Sequence, residues 1–138
     1  MKKSFAGLLL LLATLFMVCP AAATPNLAGN WNLTITYVEP DGTVHSNEAM
    51  AMTLNATANP TLFYGTMTGG DPALQYITIM MDAGANMHFA ISWTDANAGE
   101  SAPHTRTYGR GTASTKKVVG SWNNDLGYSG VFTAIPAL

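Results

Sequence analysis

Histidine, cysteine, activated serine and paired carboxylates carry most enzyme chemistry, and in this chain they are thinly spread. The three histidines, His45, His88 and His104, stand far apart. His45 and Glu48 lie three residues apart beside a turn. A metal site needs further ligands converging on one point, so a solvated hairpin is the expectation there. His88 alternates with the apolar residues of its segment and should point outward, and His104 closes a loop. No serine sits in a nucleophile-elbow pattern. Gly109-Arg110-Gly111 has no helix after it to receive a phosphate. Asp41, Asp71, Asp95 and Asp125 all fall where turn chemistry wants them. An ordinary enzyme is not expected, and neither is a metal site or a cofactor.

The informative residues are aromatic. Trp31, Trp93 and Trp122 are the three tryptophans, and each lies near one end of an apolar alternation. Tyr37, Tyr64, Phe89, Tyr108 and Phe132 add to the set, with Met50, Met52 and Met87 as adaptable neighbours. Rings of this kind dominate any β core. They also line pockets that take small apolar ligands. The ligand-contacting set read from the sequence is Trp31, Trp93, Tyr108 and Trp122. Arg106 and Arg110 share the parity of Tyr108. Facing inward they would bring positive charge to the interior and ask for an anionic partner. Facing water, which sparse charges favour, they leave Thr105, Thr107 and Gly109 inside.

The elements that must position these residues are short strands. Trp31 to Tyr37 alternates strictly, with Trp31, Leu33, Ile35 and Tyr37 on one face. Pro40-Asp41-Gly42 turns the chain, and Met50, Met52 and Leu54 share one face of the return strand. Leu62 to Thr68 is a third strand, and Gly69-Gly70-Asp71-Pro72 is the next turn. Tyr76 to Asp82 is a fourth strand, apolar on both faces and ambiguous in register. Met87 to Trp93 again alternates cleanly, and the longest loop follows, Asp95 to Pro103. Thr105–Thr112, Val118–Asn123 and Ser129–Ile135 complete eight strands. Strands in series joined by tight turns read as an all-β, up-and-down antiparallel meander. Closure into an eight-stranded barrel removes its two exposed edges. A β-sandwich is the main alternative, and the short strands and the lack of aromatic girdles argue against an outer-membrane barrel.

The first residues read differently. Lys2 and Lys3 precede the apolar run Ala6 to Val18, and Ala21-Ala22-Ala23 has the form of a cleavage site. A bacterial-type signal peptide over residues 1–23 is expected, with a single domain over 24–138 that is exported to the periplasm or the extracellular space. Acylation of Cys19 is the rival reading. With such a leader, the triplets at Asn32 and Asn55 carry no expectation of glycosylation. Past the leader only Arg106, Arg110, Lys116 and Lys117 oppose the eight acidic residues. No nucleic-acid footprint is present. Membrane insertion is not expected, and a homo-oligomer is possible.

Gly29-Asn30-Trp31 and Gly120-Ser121-Trp122 are two Gly-x-Trp motifs. The first, on the first strand just after the leader, resembles the lipocalin and avidin group of barrels. In that group the tryptophan plugs or lines one barrel end. His88-Phe89-Ala90-Ile91-Ser92-Trp93 resembles the fifth avidin strand, which ends in a ligand-contacting tryptophan. Leu33 stands where avidins carry an asparagine. The resemblance therefore implies the barrel, and ligand contact at Trp31, Trp93 and Trp122, but not biotin. The function expected is binding of a small, largely apolar ligand at one barrel mouth. The competing reading is a structural or protein-interaction module with a packed lumen.

Overall fold

The structure, a computed structural model, describes residues 23–82 and 84–138. The leader and Cys19 lie outside the described residues. Eight strands follow in chain order: β1 Gly29–Val38, β2 Val44–Ala56, β3 Leu62–Thr68, β4 Leu74–Met81, β5 Asn86–Trp93, β6 His104–Ala113, β7 Val118–Asn124 and β8 Ser129–Pro136. Each pairs antiparallel with the next, and β1 also pairs with β8, which closes the barrel. Closure settles the barrel against the sandwich.

Alternation decides what faces in. On β1, Trp31, Leu33 and Ile35 are buried while Asn30, Asn32 and Thr34 are exposed. The inward residues meet inward partners across the ladder: Trp31 opposes Met52, Leu33 opposes Ala134 and Ile35 opposes Phe132. A slip of one residue would expose every one of them. The doubly apolar β4 is resolved by its neighbours. Ile77, Ile79 and Met81 point into the core, opposite Ile91, Phe89 and Met87, and Tyr76 and Met80 point out. The apolar lumen is the reverse of an outer-membrane barrel, whose polar side faces inward.

The two ends of the barrel are unlike. At the far end Leu27 is fully buried, and the Trp31 indole Nε1 donates to its carbonyl oxygen at 2.9 Å. Leu54, Phe63, Met87, Val118 and Ala134 fill the space around them. This end is plugged. The other end carries the β1–β2, β3–β4, β5–β6 and β7–β8 connections. In the first, Gly42 at φ +90° accepts a backbone geometry that a side chain would resist.

Two irregularities re-aim side chains near this second end. In the β1–β2 ladder the register shifts between Ile35 and Tyr37, and Asn47 takes a positive φ of 61°. Asparagine tolerates that conformation better than most residues. In the β5–β6 ladder the shift falls after Ile91, so that Ile91 opposes Thr107 while Ser92 opposes Thr105. Arg106 is the extra residue, a β-bulge. The bulge corrects the reading of this strand. Thr107 is buried and Gly109 faces the Phe89 ring, as alternation requires, but Thr105 is exposed.

Candidate functional site

A cavity of ≈ 820 Å³ occupies the lumen and opens between the four connections at the unplugged end. Ile35, Ile77, Ile79 and Ile91 supply its walls together with Met50, Met52 and Met67. Phe89 and Phe132 are among its rings, edge to face with centroids 5.4 Å apart. That geometry suits the ring quadrupoles. Trp93 and Trp122 also line the cavity. They sit at the ends of β5 and β7 that reach the mouth, separated by β6 alone.

The four tryptophan and tyrosine positions expected to meet a ligand divide evenly. Trp93 and Trp122 come together on the cavity. Trp31 does not: it is 3% exposed within the plug at the opposite end. Of the two roles open to a first-strand tryptophan, it takes the plugging one. Tyr108 is a correction. It is 58% exposed on the outer face of β6, because Thr107 and Gly109 hold the inward positions and alternation sends the residue between them to water. Arg110 is likewise exposed on that outer face.

Arg106 does neither of the things expected of it. Its side chain is 14% exposed, neither solvated nor in the lumen, and its guanidinium bridges the β5–β6 loop to the β7–β8 turn. One arm donates to Asp125 at 3.0 Å and the other to Glu100, and the group lies 6.0 Å from the Trp93 ring centroid. The Asp125 amide donates to the Arg106 carbonyl at 3.0 Å, which locks the turn to the bulge. The loop itself is organised by Asp95, whose carboxylate accepts from the amides of Asn97 and Ala98 and so caps a 3-10 turn at Ala96–Ala98. Glu100 in turn accepts from the Asp95 amide at 2.9 Å. The loop that borders Trp93 is therefore tied down rather than loose.

Tyr37 stands on the opposite rim. Its ring stacks on His45 with centroids 4.6 Å apart and planes 9° apart, and it lies 6.2 Å from both Trp122 and Tyr128. His45 Nε2 is 2.7 Å from a Glu39 carboxylate oxygen, to which it must donate. The partner of His45 is thus Glu39 and not Glu48. Desolvation, followed by the nearby charges of Glu48 and Glu39, pushes the Tyr37 phenol above the usual tyrosine value. The raised value favours the neutral phenol in the folded state. Its contribution to stability is full below a pH of about 10 and is lost as pH rises through the folded value. An alkaline titration followed by phenolate absorbance should show a late component above pH ~10 that Tyr37→Phe removes. Persistence of that component in the variant would contradict this placement.

Among the described residues no three histidine, cysteine, aspartate or glutamate side chains converge as a metal site would require. His88 is exposed on the outer face of β5, and His104 is exposed at the start of β6. Asp41 and Asp82 are held below the usual carboxylate range by hydrogen bonds from Thr43 and from Asn86 and Gly84 respectively. Those bonds serve turns, not the cavity. Sequence reasoning missed the deep wall of isoleucines as a site, and it missed the acidic residues of the rim, Glu39, Glu48, Asp71 and Asp95. The signal available for the rim was topological: every second connection of a closed meander meets at one end.

No family model and no curated protein matches the chain. Among solved structures it is similar to a redesigned β-barrel, at 15% sequence identity and a TM-score of 0.55, over 81% of this chain and 92% of that one. A likeness at that identity concerns the fold alone: a small closed barrel.

Proposed function

We propose that this protein is an exported, non-enzymatic binding protein that holds a small, largely apolar ligand in the lumen of its barrel. The single observation carrying this reading is the ≈ 820 Å³ cavity, with isoleucine, methionine and aromatic side chains along the lumen and polar residues of the connections at its mouth. Ligand pockets are concave, mostly apolar and furnished with a few polar groups, and this volume falls within their usual range of about 300–1,000 Å³. A module working only through its outer face needs no such space, since protein interiors otherwise close-pack. The avidin and lipocalin group offers the nearest functional analogy, through a plugging first-strand tryptophan and a mouth tryptophan at the end of the fifth strand. Export rests on the leader-like residues 1–23. No helix among the described residues is long and apolar enough to cross a membrane. The apolar interior also favours a barrel that lives in water.

The test uses a neutral apolar fluorophore, N-phenyl-1-naphthylamine, titrated into the protein with tryptophan excitation. One fluorophore should bind per chain. Trp93→Ala and Trp122→Ala should each weaken binding about tenfold, the loss of roughly 1.4 kcal/mol of ring contact. Unchanged affinity in both variants would remove these rings from the site. Absence of saturable binding to the parent protein would sink the reading.

A further inference from the structure

The charges of the barrel are sorted by end. Of the eight acidic residues, seven (Glu39, Asp41, Glu48, Asp71, Asp95, Glu100 and Asp125) lie on the connections and strand ends around the open mouth. Among the described lysines and arginines Arg106 alone joins them, and it is engaged by Glu100 and Asp125. Lys116 and Lys117 sit in the β6–β7 turn at the plugged end, and Arg110 lies on the outer face towards it. Among the described residues the cavity is lined by four of these carboxylates, Glu39, Glu48, Asp71 and Asp95, and by no lysine, arginine or histidine. Glu48 holds an inward register position opposite Ile35, and among the described residues neither it nor Asp71 makes an ion pair.

We infer that the cavity selects amphiphilic cations: compounds with an apolar body and one amine or quaternary ammonium group. This rests on the reading of the cavity as a ligand pocket and adds its ligand class. The isoleucine and methionine walls take the body. The rings of Tyr37, Trp122 and Tyr128 stand together at the rim, where their faces attract a cation. Glu48 and Asp71, which line the same cavity as these rings, supply the unneutralised charge. The asymmetric field draws cations to the mouth and turns anions away from it. A carboxylate-bearing ligand, which inward arginines would have welcomed, is therefore disfavoured.

The experiment compares three ligands of matched shape, 4-phenylbutylamine, 4-phenylbutanol and 4-phenylbutyrate, by calorimetry at neutral pH. The amine should bind about tenfold more tightly than the alcohol, and the carboxylate more weakly than either. High salt should shrink the amine's advantage. The double variant Glu48→Lys with Asp71→Lys should invert the order, making the carboxylate the tightest of the three. Equal affinities for amine and alcohol, or a tighter carboxylate in the parent protein, would overturn the charge preference and leave the pocket standing. Failure of all three to bind would overturn both.

Discussion

Trp31→Ala should lower the stability of the barrel by about 3–5 kcal/mol in urea unfolding, the usual range for truncating a large buried ring. Two losses add together. The indole leaves a void among Leu27, Leu54 and the other side chains of the plug. Its Nε1 also ceases to hold the Leu27 carbonyl, which frees the segment before β1 from the barrel end it closes. Trp122→Ala should cost distinctly less, because that ring is only partly buried and borders the cavity. A Trp31→Ala variant within about 1 kcal/mol of the parent would show that the far end is not the plug described.

Gly109→Ala should cost about 1–3 kcal/mol, which is large for the addition of one methyl group. The inward position of β6 at Gly109 lies across from Phe89 on one side and Trp122 on the other. A methyl group built there would overlap the Phe89 ring and crowd the Ser121 carbonyl at 2.5 Å. Phe89 cannot retreat without disturbing its edge-to-face partner Phe132. The account makes the two positions dependent on each other. In a Phe89→Leu background the same glycine substitution should cost less, with a coupling of at least ~0.5 kcal/mol between the sites. Strict additivity would contradict it.

How much of this was legible beforehand can be judged residue by residue. The strand order, the eight-strand count and the inward set Trp31, Leu33, Ile35, Phe89, Ile91, Trp93 and Trp122 follow from period-two alternation; the structure buries the first six and leaves Trp122 partly buried. Register in a closed barrel leaves that alternation little freedom. β4 could not be read, because Tyr76, Ile77, Ile79 and Met80 offer apolar residues to both faces and only its partners Phe63 and Phe89 decide between them. Arg106 failed for another reason. One bulged residue breaks the parity of β6, and the acids that hold the arginine come from a loop and a turn remote from it in sequence. Tyr108 was misplaced although the parity of Thr107 and Gly109 was already available. Its place on the strand between those of Trp93 and Trp122 suggests the pocket, and alternation sends it out.

The central claim, that the lumen is the binding site, can be tested directly with the isoleucine side chains. Ile35, Ile77, Ile79 and Ile91 border the cavity, while Ile135 is 52% exposed on the outer face of β8. In a methyl NMR titration with 4-phenylbutanol, the account predicts that the four lumen methyl signals shift together along one saturating curve while that of Ile135 stays in place. Shifts confined to Ile135, or no saturating shift at any lumen methyl, would contradict it.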